Sequence, residues 1–283
     1  MDAADEDTEF PQGAMLDGGR YQVVDHYLGG GSDQLWFARG VDSTTRYLVS
    51  TTVDNGFDLP SDGPALMRSA EGVLTPCFLG PVDLVGDGGV RDELRRTTMA
   101  YVERVPGGIP LVEVRLDVAR HAFHLGSQVA ERLLAAAAAE VLVVGVRPEY
   151  VWIEVNDDAP NVTGVGGGNR TFFTAAHRRR DLRTAPLFTR RYVAPEVSRG
   201  EAYDERALVF SVAVMTAEWL LGRYPYEGGD GAYGYNRLCR GEHVALPDAA
   251  RELVPALSTA PAARPALSEF VRTLDRLAQR HAR

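Results

Sequence analysis

The stretch VVGVRPEYVWIE, Val143 to Glu154, sets an Arg-Pro-Glu between two apolar runs, and the segments around it hold the chain's other candidates for chemistry. LGGGS (28–32) and TGVGGGNR (163–170) are glycine-rich, and successive backbone N–H groups free of side chains can cradle an anion. Asp157 and Asp158 stand together between two strand-like runs, and HRRRDLRTAPLFTRR (177–191) concentrates six arginines. Other chemistries lack their parts. The chain contains no lysine; all thirty basic residues are arginine, a bias that GC-rich codon usage accounts for, so no step can use a lysine amine. Cys77 and Cys239 have no metal-ligand spacing and make no disulfide framework. His121 and His124 lie one helical turn apart without a third ligand and read as ordinary helix positions.

Bulk properties narrow the field. At 283 residues, with 45% hydrophobic and 24% charged content, the chain can bury a substantial core as one large or two modest domains. A net charge of −9 argues against nucleic acid or an anionic membrane as partner, since both require a basic surface. The opening MDAADEDTEF is acidic where a secretory leader would be basic and then apolar. The longest apolar run, Ala207 to Leu221, is too short for a bilayer and carries Glu218, so it reads as a buried helix. With cysteine usage suited to a reducing compartment, these features predict a soluble, cytoplasmic protein without membrane insertion.

Residues 1–18 read as a disordered acidic tail. From Arg20, RYQVVDHYL, QLWFARG and TRYLVSTTV read as strands of an antiparallel meander, with further strands near 80–85 and 96–105 and a short helix near 64–72. After Pro106-Gly107-Gly108 the character changes. Residues 116–139 predict a long helix ending in five alanines, strong helix formers with little bulk. VLVVGV, YVWIEV and NVTGV read as short strands, and 166–191 as a long loop. Residues 205–221 are apolar nearly all round, the mark of a central buried helix, and Leu267, Phe270, Val271, Leu274 and Leu277 keep amphipathic helical spacing. A β-rich first third before a mainly helical remainder predicts an α+β, two-lobed layout without internal repeats.

These motifs, in this order, resemble the eukaryotic-like serine/threonine protein kinases of bacteria. GGRYQVVDHYLGGGSDQLWFARG looks like the family's first two strands with the phosphate loop between them, and YVERVPGGIPL, with Glu103 and Val105, looks like its hinge. Arg147-Pro148-Glu149 resembles the Lys-Pro-Glu that follows the catalytic aspartate, and RYVAPEV keeps Ala-Pro-Glu at 194–196. LLGRYPYEG and ARPALSEFVRTL resemble the end of the central lower-lobe helix and the arginine-bearing start of the last one. The likeness spans residues 17–280. It implies a protein-kinase-like fold with a small β-rich N-lobe over 19–105 and a larger, mainly helical C-lobe over 106–283.

What the resemblance implies for catalysis is loss. Phosphoryl transfer in this family uses a strand-three lysine, a catalytic-loop aspartate as base, and an asparagine and a second aspartate as magnesium ligands. Here Ser50 or Thr51 takes the lysine position, Gly145 replaces the base, Tyr150 replaces the asparagine, and Gly164 replaces the second aspartate. The phosphate loop keeps Gly29 and Gly31 but has Asp33 and Gln34 where its third glycine belongs, and a carboxylate there repels phosphate. Leu208 stands where the central helix carries an aspartate that anchors the catalytic loop. Glu196 and Arg264, a structural ion pair of the family, are both kept. The implied protein is a pseudokinase, not an enzyme, with no bound metal and no cofactor. It would act as a regulatory or scaffolding module through its surfaces. Arg178, Arg179, Arg180, Arg183, Arg190 and Arg191 suit a phosphorylated or acidic protein partner through bidentate pairing. Two other readings stay open: a divergent ATP-dependent phospho- or nucleotidyl-transferase, and a nucleotide or small-molecule sensor without turnover.

Overall fold

The computed structural model describes residues 12–16, 18–30, 33–41, 44–53, 78–82, 98–105, 107–114, 116–139, 141–143, 146–156, 159–165, 172–174, 191–227 and 234–281. The chain divides into two units, residues 1–105 with 167–170, and residues 106–166 with 171–283. The N-terminal region is a β-sheet, and the C-terminal region is mainly helical.

Among the described residues, the first unit is one antiparallel sheet. Its strands are β1 (Met15–Leu16), β2 (Tyr21–Gly30), β3 (Asp33–Gly40), β4 (Arg46–Val53), β5 (Phe78–Val82) and β6 (Thr98–Arg104), in the order β1-β2-β3-β4-β6-β5. Period-two alternation turns Tyr21, Val23, Trp36, Ala38 and Val49 to one face, where they bury together with Leu16, while Val24 and Arg39 stay exposed. Tyr47 closes the cluster edge-on to Tyr21, with ring centroids 4.9 Å apart. The acidic tail expected over 1–18 gives way to structure before its end. Gly13 N–H donates to Val23 O at 2.9 Å, Val23 N–H donates to Ala14 O at 2.8 Å, and Leu16 is 2% exposed. A two-residue strand carries no periodicity to read, so only its pairing with β2 reveals it.

The second unit contains β7 (Ile109–Pro110), α1 (Val118–Ala138), β8 (Val141–Val143), β9 (Val151–Asn156), β10 (Ala159–Val165), β11 (Phe172–Thr174), α2 (Pro195–Ser198), α3 (Arg206–Leu221), α4 (Tyr235–Arg240) and α5 (Leu267–His281). Tight 3-10 turns occupy Leu111–Glu113, Pro148–Tyr150, Asp248–Leu257 and Pro261–Ala263. The strands form two small sheets, β10-β9-β7 and β11-β8. The second corrects the long loop expected over 166–191: Phe172, Phe173 and Thr174 pair with Val143, Leu142 and Val141. Their aromatic, β-branched composition favours a strand, but three residues are too few to show a period.

Helix α3 is the hub. Every residue from Ala207 to Ala217 is buried, as its unbroken apolar character predicts. It packs on α1, whose Leu125, Val129 and Leu133 are fully buried. Gly126 sets their approach: a Cβ there would stand 2.5 Å from Thr216 Oγ1. On its other side α1 meets α5, which buries Leu267, Phe270, Val271, Leu274 and Leu277. Polar side chains of α1 fasten β10. Val162 N–H donates to Gln128 Oε1 at 2.6 Å, and Arg132 Nη2 donates to Val162 O at 2.6 Å. At the start of the unit, Gly108 adopts φ +85°, and a Cβ there would lie 2.1 Å from Ile153 O. Only glycine lets the chain graze β9 so closely and still pair Ile109 with Ile153 and Pro110 with Trp152.

The short helix expected near 64–72 lies outside the described residues, as do Asp157 and Asp158. No helix among the described residues is long and apolar enough to cross a membrane.

Candidate functional site

In the first unit, the glycine-rich stretch begins as strand. Gly29 pairs with Gln34 and Gly30 with Asp33, so β2 and β3 stay paired, past register shifts at Val23/Asp25 and His26/Leu28, up to the residues that join them. Gly31 lies outside the described residues. Ser50 and Thr51 sit mid-strand on β4, opposite Leu35 and Gln34 on β3 and opposite Tyr101 and Ala100 on β6. Glu103 lies on β6 across from Leu48. Just past that strand, Val105 N–H donates to Arg46 O at 3.1 Å, extending the ladder by one bond. A hinge that binds adenine through its backbone would offer that donor to the ligand.

In the second unit, Pro148 opens a 3-10 turn that carries Tyr150 inward, where it is 8% exposed. Proline suits this first helical position, where its missing N–H costs nothing. The Arg147 guanidinium lies 4.4 Å over the Tyr150 ring and also donates to the Tyr150 hydroxyl. Ring and hydroxyl are both engaged by one cation. Gly164 belongs to β10, opposite Trp152 and beside the bulge after Val162, and its neighbour Val165 is fully buried opposite Val151. Gly145 lies outside the described residues. Among the described residues, no group of three or more His, Cys, Asp or Glu side chains could hold a metal ion.

Glu196 and Arg264, 68 positions apart, form a two-pronged ion pair. Nη1 donates to Oε1 at 2.6 Å and Nη2 to Oε2 at 2.9 Å, with the side chains 2% and 0% exposed respectively. Two further donors of Arg264 reach Ser258 O at 2.7 Å and Arg206 O at 3.1 Å, and its guanidinium lies 4.8 Å over Phe210. One buried cation therefore joins α2, the start of α3 and the approach to α5. Leu208, on α3, is fully buried.

Of the six arginines, Arg178, Arg179, Arg180, Arg183 and Arg190 lie outside the described residues. Arg191 is described, and it ends in a cluster that reading the sequence missed. Its Nη2 meets Glu218 Oε1 at 3.3 Å, and its guanidinium lies 4.4 Å over Tyr224 and 5.9 Å from the Tyr192 ring. Tyr192 Oη donates to Glu218 Oε2 at 2.5 Å, and Tyr224 Oη donates to Arg191 O at 2.6 Å. Ser211 Oγ, from α3, donates to Tyr192 O at 2.6 Å. Burial pushes the Glu218 carboxyl above its usual range; the Tyr192 hydrogen bond and Arg191 pull the other way, while Glu149 and Glu227 add to the rise. Burial also raises the Tyr192 and Tyr224 phenols, so both stay protonated donors. The available signal was Glu218 itself, the one charge in an otherwise apolar run.

No protein-family profile matches the chain. Serine/threonine-protein kinase PkaB of Streptomyces coelicolor is 27% identical over 282 residues, covering 92% of this chain and 63% of that protein. Aurora kinase A-A of Xenopus laevis is 27% identical over 163 residues, covering 55% of this chain and 38% of that protein, and Aurora kinase A-B of the same frog is 26% identical over the same shares. The chain thus spans less than two thirds of the length of these curated relatives. A β-sheet N-terminal region before a helical C-terminal region is compatible with a kinase-like fold, and the chain is similar to protein kinases.

Proposed function

We propose that this chain is a catalytically inactive protein-kinase-like protein, a regulatory or scaffolding module of the cytoplasm. Its partner would be a protein that presents phosphate or carboxylate groups to the arginines of 178–191. The observation that carries the reading is Tyr150. Where the resemblance implies the family's metal-binding amide, the chain carries a buried phenol, its ring and hydroxyl both held by Arg147. A neutral phenol, bonded in this way, offers magnesium little in place of an amide oxygen.

The sequence adds to that support. The chain has no lysine for the phosphates, glycine at the base position and glycine at the second metal position. Removing one preorganised electrostatic group typically costs on the order of 3 kcal/mol of barrier, and although such losses do not simply add, nothing among the described residues stands in for the whole set. The bond from Val105 N–H to Arg46 O argues in the same direction against nucleotide, since it occupies a hinge donor.

Thermal unfolding with millimolar ATP, with and without magnesium, tests this reading. A ligand at about a hundred times its dissociation constant stabilises by roughly 2.7 kcal/mol, a shift of several degrees. The expected result is no shift in either condition. A shift that requires magnesium overturns the inactive reading in favour of a divergent transferase, and one that ignores magnesium replaces the scaffold with a nucleotide sensor.

A further inference from the structure

The two oxygens of Glu218 are held by unlike partners. Oε2 accepts a close bond of 2.5 Å from the neutral Tyr192 hydroxyl, whereas Oε1 meets Arg191 at 3.3 Å, a long contact for an ion pair. The side chains of Arg191 and Glu218 are 41% and 20% exposed, so water and protons reach the pair. The backbone beneath is fastened separately by neutral donors: Tyr224 Oη holds Arg191 O, and Ser211 Oγ holds Tyr192 O. The guanidinium can therefore leave Glu218 without unseating the chain.

We infer that Glu218 is a proton-operated latch for the guanidinium of Arg191, the last residue of the arginine-rich stretch. A proton arriving at the carboxylate settles on Oε1, the oxygen with the weaker contact. That oxygen then carries a donor facing a donor, and Arg191 is released while Tyr192 keeps its bond to Oε2. The charged and titratable groups acting on Glu218 are Arg191 and Tyr192, Glu149 from the Pro148–Tyr150 turn, and Glu227 beyond α3; Tyr224 lies against Arg191. Partial burial, and after it two neighbouring carboxylates, favour the protonated state; the phenol and the arginine oppose it. By reciprocity, any anion that captures Arg191 raises the affinity of Glu218 for a proton. The latch does not rest on the inactive-kinase reading, because it involves neither nucleotide nor metal.

The test is a pH titration of the full chain by NMR, following the Glu218 side-chain carboxyl carbon and the Arg191 Nε–H, each assigned by its loss in Glu218→Gln and Arg191→Gln. In the wild type both signals should move together, with one midpoint above 4.5, the ordinary glutamate value. In Glu218→Gln, whose side-chain amide still accepts from Tyr192, the Arg191 signal should stay flat at the acid-limit position. In Arg191→Gln and in Tyr192→Phe the Glu218 midpoint should rise further. An Arg191 signal that ignores pH, or follows it unchanged in Glu218→Gln, overturns the latch.

A second readout needs no assignment. A carboxyl whose folded pKa is raised contributes stability that is full below its unfolded pKa and lost as pH rises through the folded value. The wild type should lose stability over that window relative to Glu218→Gln.

Discussion

Arg264→Met is expected to cost about 3–5 kcal/mol of stability, because it strands a buried carboxylate. The Glu196 and Arg264 side chains are 2% and 0% exposed and face each other through two bonds. Methionine fills much of the volume but brings no charge, so Glu196 is left in a low-dielectric pocket without its cation. The carbonyls of Ser258 and Arg206 lose their donor at the same time. The double variant Glu196→Leu/Arg264→Met should recover much of the loss, since an apolar pair of similar volume removes the stranded charge as well as its partner. Urea unfolding of the single and double variants checks this. A loss below about 1 kcal/mol in the single variant, or a double variant no better than the single one, would mean that the pair does not brace the second unit.

Phe210→Ala is expected to cost a comparable amount, about 3–5 kcal/mol, through the cavity it opens in the middle of α3. Phe210 is fully buried, stacks on Tyr226 with centroids 6.3 Å apart, and supports the guanidinium of Arg264 on its face. Because the ring and the cation touch, the two losses should not add. The variant carrying both Phe210→Ala and Arg264→Met should be more stable than the sum of the single effects implies. The urea midpoint should fall with little change in slope, as expected when stability changes and the surface exposed on unfolding does not. Strict additivity would show that the cation–aromatic contact contributes nothing.

These two residues also show what the sequence discloses and what it withholds. The burial of α3 is legible because a helix apolar on every side has nowhere to go but the interior, and α5 is legible because its apolar residues keep one face. Glu196 and Arg264 are 68 positions apart, and no local rule joins them; only the resemblance to protein kinases did. The same distance problem hides the Arg191 cluster. Arg191 and Tyr192 meet Glu218 and Tyr224 only once α3 is in place, and a sequence shows Glu218 merely as a lone charge in an apolar run. Very short elements escape for another reason. β1 and β11 contain two and three residues, shorter than a pattern of period two needs, and each exists because a neighbouring strand pairs with it. Tyr150 illustrates the opposite case. The resemblance alone assigns it the family's asparagine position, whereas the stacking of Arg147 over its ring belongs to the folded turn.

The most direct test of the central claim is phosphoryl transfer itself. The purified chain is incubated with γ-labelled ATP and magnesium or manganese, alone and with a general protein acceptor, and the label on protein is counted. The account predicts no incorporation above that of heat-denatured protein under any of these conditions. Label that grows with time, depends on the metal and is lost on heating the protein would contradict it.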